Sequence, residues 1–218
     1  MAVNWKEDWK KDLANMLMKF TIGALCFLGI AMLIAHGKNF LITLKPAYDV
    51  EYLLDNGARE GMHVYGEVPY TYDCFANMSD FDDSHVSAYY YALPSVDGML
   101  ILNVPVDMQT AMETLLDETM LYLDTGIWPT SVVPVEGYVV KAQGRLPYLL
   151  TQYMSEIGYT QEEIDAMGEP LMIEYAAGNL HKARFYAPVG MILLTVGILL
   201  IVLIVFLKRS KNSKKLGK

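Results

Sequence analysis

The chain has 218 residues, of which 53% are hydrophobic and 19% charged, and its formal net charge is −8. This composition excludes a disordered or collagen-like chain. The mean hydropathy is positive, at +0.23. The excess comes from two apolar blocks near the ends, residues 20–35 and 187–207, so a membrane protein is expected.

Residues 1–16 predict an amphipathic head on the cytoplasmic side of the membrane. Trp5 and Trp9 recur with other apolar side chains at helical spacing, and lysines lie on the other faces of the helix. Tryptophan prefers the headgroup level of a bilayer. We therefore expect Trp5 and Trp9 to anchor the chain at the membrane interface. The alternative is that they form a docking edge for a cytoplasmic partner.

The first apolar block predicts a transmembrane helix at residues 17–36. With Lys19 reaching back to the interface, the segment is long enough to cross a hydrocarbon core of ~30 Å. A cleaved signal peptide is the rival interpretation, but the preceding segment carries three acidic residues and residues 33–35 do not fit a cleavage site. Within the helix, Gly23, Cys26 and Gly29 form a strip of small residues that favours close helix packing.

Residues 37–186 predict one domain that begins with an antiparallel meander. Its strands are expected at His63–Phe75, Val86–Leu93 and Met99–Val104, with a turn at 95–98 between the last two. All fifteen tyrosines of the chain lie in this domain, which suits strands that face both a core and water. The run 89–91 is Tyr-Tyr-Tyr, and we expect it to pack on both faces of the sheet rather than to form a stacking surface for a ligand.

The second half of the domain alternates between helices and strands. Asp107 is predicted as the N-cap of a helix that ends before Gly126. Pro134 and Gly137 interrupt the next strand, 132–142, which indicates an edge strand or a bulge.

Two further helices and a strand complete the predicted domain. A helix is predicted from Leu146 to Ile157, and a capping box of Thr160 and Glu163 opens the next. A last strand is expected at 171–176. The fold class is therefore α+β: two transmembrane helices flank an antiparallel sheet covered by two or three helices, with a small open barrel as the alternative arrangement.

The second apolar block predicts a transmembrane helix at residues 187–207, followed by a basic tail at 208–218. Lys208 and Arg209 are expected to anchor this helix at the interface. The tail holds six cations, which attract anionic lipid headgroups. Because these cations directly follow the membrane span, they do not indicate nucleic acid as a partner.

The orientation follows from the distribution of lysine and arginine, which stay cytoplasmic when they flank a span. The head and tail are basic, whereas residues 36–186 hold seven Lys and Arg against 22 Asp and Glu, a balance of −15. The prediction is a two-pass protein of the plasma membrane, with both termini cytoplasmic and residues 37–186 outside.

The densest group of polar side chains is the acidic loop at residues 79–85. Asp80, Asp82, Asp83 and His85 have the chemistry of metal ligands, but the spacing lacks the glycine and the final glutamate of a calcium loop. A solvated hairpin loop is the preferred interpretation, and no metal ligand is assigned.

No other catalytic or cofactor motif is recognisable. The sequence has no nucleophile elbow, His-Glu-x-x-His, Cys-x-x-Cys or phosphate-binding loop. Cys26 is expected in the bilayer and Cys74 outside it, so no internal disulfide is expected. A buried core thiol is predicted at Cys74, with an intermolecular bridge as the alternative. No catalytic residue and no cofactor are predicted.

The layout resembles uncharacterised two-span membrane proteins of Gram-positive bacteria, which carry a domain of unknown function. The resemblance rests on the segments 48–51, 64–68, 88–94 and 99–105 between a short head and a basic tail. It implies a bacterial plasma membrane and a non-catalytic role, and it assigns no functional residue.

The function predicted is a non-catalytic binding or accessory module of the bacterial envelope, anchored in the lipid bilayer, whose outer domain binds another membrane or envelope protein. One alternative is an extracytoplasmic metal-assisted hydrolase that uses the acidic loop. Another is a small subunit of a larger membrane transport or secretion complex.

Overall fold

A computed structural model describes residues 5–79 and 85–216. The chain divides into two compact units, one formed by residues 1–40 with 181–218 and the other by residues 41–180. The helices of the described residues are α1 (Trp5–Thr43), α2 (Val50–Asn56), α3 (Gln109–Thr125), α4 (Leu146–Glu156), α5 (Gln161–Met167) and α6 (Ala177–Leu216). The strands are β1 (Ala47–Tyr48), β2 (His63–Val68), β3 (Asp73–Ser79), β4 (Val86–Ser95), β5 (Gly98–Pro105), β6 (Val133–Lys141) and β7 (Leu171–Tyr175).

Two helices are long and apolar enough to cross a membrane, one near each end of the chain. The apolar segment of α1 is Asp12–Thr43, with a mean hydropathy of 2.2 over an 18-residue window, and that of α6 is Ala177–Arg209, with 3.2 over such a window. Both are longer than the predicted spans 17–36 and 187–207. Most of their large apolar side chains are exposed, as lipid-facing side chains would be.

Small residues bring α1 and α6 into backbone contact. A Cβ atom on Gly29 would lie 2.8 Å from the carbonyl oxygen of Gly190, and one on Gly197 would lie 2.5 Å from Sγ of Cys26. Cys26 and Gly29 therefore contact α6, as the predicted strip requires. The third member, Gly23, has nothing within 4 Å of its Cβ position.

The second unit contains a seven-stranded open sheet in the order β1-β2-β6-β7-β5-β4-β3. The predicted α+β class is confirmed. The sheet is mixed rather than wholly antiparallel, because β1 pairs with β2 and β5 with β7 in parallel. Parallel neighbours need a long crossover connection, and α2 supplies it between β1 and β2.

The predicted meander is right in kind and wrong in its first strand. Residues 63–75 contain β2 and the start of β3. These two strands lie toward opposite edges of the sheet, with β2 next to the edge strand β1 and β3 at the other edge. Pro69 directly follows β2 and has no N–H to continue the ladder. The meander is therefore β3-β4-β5, and β2 pairs with β6 instead.

Strand β6 is an interior strand, so the prediction of an edge or a bulge is wrong. It pairs with β2 without a register shift along His63–Val68. Pro134 is tolerated because β7 pairs only with Gly137–Lys141, which leaves Pro134 with a neighbour on one side. Gly137 lets the two backbones approach, since a Cβ there would lie 2.1 Å from the carbonyl oxygen of Glu174.

The helix boundaries follow the capping predictions with one exception. Asp107 lies in a short 3-10 turn, Val106–Met108, and α3 begins after Met108 without a side-chain cap. Gly126 ends α3 with a φ of 73°. The capping box of Thr160 and Glu163 at the start of α5 is confirmed.

Helices cover both faces of the sheet. One face packs against α2 and α3, through Leu53, Leu54 and Met112, and the other against α4 and α5. Tyr91 lies in the first core and Tyr90 in the second. The tyrosine run therefore packs on both faces, as predicted.

Candidate functional site

An aromatic groove of about 470 Å³ opens at one end of the sheet, on the side of α2 and α3. This volume lies within the range of small-molecule sites. We call it the aromatic groove and define it by its lining residues, which come from the end of α2, the β2–β3 connection, the β4–β5 turn, the end of α3 and the loop after it: Leu54, Asp55, Tyr70, Tyr72, Pro94, Ser95, Val96, Thr119, Tyr122, Leu123, Trp128 and Pro129.

Trp128 is the centre of the aromatic cluster. Its ring meets that of Tyr122 edge-to-face, with centroids 4.7 Å apart and an interplanar angle of 78°. It meets Tyr70 in the same way at 6.3 Å and 82°. These are favoured geometries for aromatic pairs. Even so, 56% of Trp128 is exposed, so the rings present a large apolar area to the open groove.

Hydrogen bonds hold the loop after α3 in a conformation that places Trp128 in the groove. Gly126 adopts a left-handed conformation, and its N–H donates to the carbonyl of Tyr122 at 2.7 Å. Farther on, Glu118 on α3 accepts hydrogen bonds from the backbone N–H groups of Thr130 and Ser131, both at 2.7 Å. The Ser131 hydroxyl donates to the same carboxylate at 2.8 Å. The loop 126–131 is thus tied to α3 at both ends.

We call the hydrogen bonds from Thr130 and Ser131 to the Glu118 carboxylate the Glu118 clamp. Its strength depends on the charge of that carboxylate. Hydrogen bonds from Ser131 and Thr130 lower the pKa of the Glu118 carboxyl below its ordinary value, because they favour the ionised form. The clamp is therefore made by a carboxylate at neutral pH, and protonation weakens it.

Two buried threonines fix the opposite wall. The backbone N–H of Thr71 donates to Oγ1 of Thr119 at 3.3 Å, and the Thr71 hydroxyl donates to the carbonyl of Ala92 at 3.2 Å. Both side chains are almost fully buried. Because Thr71 lies between Tyr70 and Tyr72, these bonds hold both tyrosines in the groove.

Asp55 adds a carboxylate to the aromatic walls. It lies in the last turn of α2, next to Leu54, whose carbonyl accepts a hydrogen bond from Val96 at 2.8 Å. Burial, and after it the negative charge of Asp55, raises the pKa of Tyr70. The carboxylate is thus near enough to Tyr70 to act on it, and the described lining of the groove contains neither lysine nor arginine.

A second cavity, of about 760 Å³, lies between the β4–β5 hairpin and helices α4 and α5. Its walls are aliphatic for the most part, with Met154, Ile164 and Met167 among them. That lining also includes Asp97, Glu169 and one aromatic ring, Tyr159. The aromatic groove is the better candidate, because it brings four aromatic rings together around one carboxylate, and such convergence is typical of specific sites.

The predicted membrane anchors all lie on the two long helices. Trp9 and Lys19 are exposed on α1, and Lys208 and Arg209 are exposed near the end of α6. Trp5 is the first residue of α1. An anchoring role for these five residues stays a prediction.

The predicted acidic loop falls largely outside the described residues. Asp80, Asp82 and Asp83 belong to that part, and His85 is exposed just before β4. Within residues 5–79 and 85–216, no group of three or more His, Cys, Asp or Glu side chains is placed to hold a metal ion.

The two cysteines, His63 and His36 lie in surroundings that indicate packing roles. Cys26 and Cys74 are free thiols, and both are partly buried. Burial raises the pKa of the Cys74 thiol, which packs at the margin of the core and lacks the full burial that the prediction of a core thiol required. His63 is buried, with Nε2 3.5 Å from Oε1 of Glu136. The ring of His36 stacks on Tyr186 at 5.2 Å.

Comparison with known proteins places the chain in a family without assigning an activity. A family model described as a domain of unknown function (DUF8577) matches residues 10–208. The chain belongs to the DUF8577 family. The match covers most of both long helices and the whole sheet unit of this DUF8577 protein. Searches of curated proteins and of solved structures found no match.

Sequence reasoning did not identify the aromatic groove, although one signal was present. Trp128 is the one tryptophan outside the head, and it lies between Gly126 and Pro129 in a segment without strand or helix periodicity. A tryptophan in such a loop is a candidate for exposure. Its neighbours Asp55, Tyr70 and Tyr122 are distant in sequence, so only the fold brings them together.

Proposed function

We propose that this DUF8577 protein is a non-catalytic binding module of the bacterial envelope, anchored in the plasma membrane by α1 and α6. In this proposal both termini are cytoplasmic, residues 37–186 lie outside, and the aromatic groove is the ligand site. The observation that carries it is the groove itself, in which Trp128 contacts the rings of Tyr70 and Tyr122 and remains more than half exposed beside a carboxylate.

An exposed apolar surface is unfavourable for an isolated domain in water. Leu123, Ile127 and Trp128 are each more than half exposed around the groove. Contiguous exposed apolar surface is uncommon on soluble domains and usually marks a binding site. The Glu118 clamp and the threonine pair hold this surface in place, which reduces the ordering cost of binding.

The likeness in layout to two-span proteins of Gram-positive bacteria supports the envelope setting, and the charge distribution supports the orientation. An envelope protein as partner, a hydrolase using the acidic loop and a subunit role in transport or secretion stay predictions. No contact among the described residues favours one of these three over the others.

Site-specific photocrosslinking tests the proposal in the native membrane. A benzophenone amino acid replaces Leu123 at the rim of the groove, and the matched control replaces Tyr148, which is 65% exposed on α4. We expect a reproducible adduct on the intact full-length protein from position 123 and none from 148. Equal adducts from both positions, or none from either, would contradict a binding role for the groove.

A further inference from the structure

The aromatic groove has the composition of a cation-binding cage. Tyr70, Tyr122 and Trp128 present rings whose planes are nearly perpendicular at each contact, 82° and 78°. Aromatic faces attract cations through the ring quadrupole, and quaternary ammonium groups are the ligands that such cages recognise best. Tyr72 adds a fourth ring to the lining.

Charge complementarity favours a cation over a neutral apolar ligand. Asp55 is the one ionised side chain in the described lining of the groove. The surrounding unit is strongly acidic, since residues 41–180 hold four Lys and Arg against 22 Asp and Glu. A field of this sign raises the local concentration of cations, and the carboxylate would supply the countercharge once the ligand is bound.

The aromatic faces of the groove favour a quaternary over a primary ammonium, because a ring face attracts a cation without accepting conventional hydrogen bonds. A primary ammonium loses hydration when buried and needs three acceptors in return. The buried Thr119 hydroxyl already donates to the carbonyl of Leu115 at 2.7 Å and accepts from Thr71. A trimethylammonium group needs no hydrogen bonds, and its methyl groups can lie directly against the rings.

We propose that the aromatic groove binds a small quaternary ammonium compound, with Trp128, Tyr122 and Tyr70 contacting the methyl groups and Asp55 balancing the charge. The volume of about 470 Å³ suits a ligand of the size of choline or a betaine. This assignment rests on the proposed binding function and names the ligand class of that same site.

The test is calorimetric titration of the full-length protein in a maltoside detergent, which carries no choline headgroup of its own. The probes are choline, its neutral carbon isostere 3,3-dimethyl-1-butanol, and ethanolamine. Choline is expected to bind at least about tenfold more tightly than either other probe, since a cation–aromatic contact out of water accounts for a factor of this size.

Variants locate the binding in the groove. Trp128→Ala should abolish measurable binding of choline, and Asp55→Asn should weaken it by about fivefold, because the rings remain while the countercharge is lost. Tyr148→Ala, on the far helix α4, should leave the affinity unchanged. Retention of the wild-type affinity by Trp128→Ala would overturn the proposal.

The outcomes separate this inference from the proposed function. Equal affinity for choline and dimethylbutanol would overturn the cation assignment, as would tighter binding of ethanolamine or no binding of choline. In each of these cases a specific photoadduct at position 123 would still support a binding role for the groove. Absence of that adduct contradicts the function itself.

Discussion

Glu118 is the residue on which the shape of the aromatic groove depends most directly. It is not among the lining residues of the groove, but its carboxylate accepts hydrogen bonds from the N–H groups of Thr130 and Ser131 and thereby fixes the loop that carries Trp128. Hydrogen bonds to an ionised acceptor are stronger than those between neutral groups. Glu118 therefore acts as a positioning residue for Trp128.

Replacing Glu118 with Gln should loosen the loop without unfolding the sheet unit. The amides of Thr130 and Ser131 are expected to exchange hydrogen faster by on the order of tenfold, because local opening becomes easier. Native hydrogen exchange measured by mass spectrometry is the readout. Asp117→Asn, at the exposed neighbouring position on α3, is the matched control and should leave the exchange unchanged.

The same residue gives a pH dependence with a defined sign. Its pKa is lowered in the folded protein, so its contribution to stability is complete above the ordinary carboxyl pKa of about 4.3 and disappears as the pH falls through the lower folded value. The difference in exchange between wild type and Glu118→Gln should therefore be constant at neutral pH and shrink in acid. A difference that grows in acid would contradict this role.

At the scale of elements, sequence patterns predicted the type of most helices and strands but not their neighbours. The capping box at Thr160, the glycine stop at Gly126 and the strand at 171–175 depend on residues close together in the chain, and all are confirmed. The interior position of β6 depends on its pairing with β7. The local sequence around Gly137 would be the same in an edge strand and in an interior strand, so the pairing of β6 with β7 could not be predicted from it.

The site was less predictable than the fold for the same reason. Asp55 lies on α2, a seven-residue helix too short for a periodic signal. Tyr70 and Tyr72 belong to a segment that sequence reasoning assigned to a continuous strand. The break at Pro69 turns both tyrosines into the groove, and this was visible only once β2 and β3 were placed at different positions in the sheet.

The contact between α1 and α6 yields a prediction at this scale. Gly29→Leu should destabilise the helix pair by about 1–3 kcal/mol, because the new side chain must occupy the space of the Gly190 backbone. Gly23→Leu makes the same chemical change on the same helix where nothing lies within 4 Å, and it should be neutral. Unfolding by SDS in mixed micelles, followed by circular dichroism, compares the two. Equal losses would show that this contact does not stabilise the pair.

At the scale of the whole molecule, charge is separated along the chain. The four cations of the head and the six of the tail adjoin the apolar helices, whereas the segment 36–186 has a balance of −15. Lysine and arginine that flank a span favour its cytoplasmic side, so this charge separation supports the proposed orientation. The acidic surface that follows from it is also what favours a cationic ligand in the groove.

Cysteine labelling in intact bacterial cells tests this arrangement. In a background with Cys26→Ser and Cys74→Ser, one variant carries Tyr148→Cys on α4 and the other carries Ser213→Cys in the tail. The proposed orientation predicts that a membrane-impermeant maleimide labels position 148 in intact cells and position 213 only after permeabilisation, because basic flanks favour the cytoplasmic side. If position 213 alone is labelled in intact cells, the topology is the inverse of the one proposed. The groove would then face the cytoplasm, and its quaternary ammonium ligand would be a cytoplasmic solute rather than one taken from outside the cell.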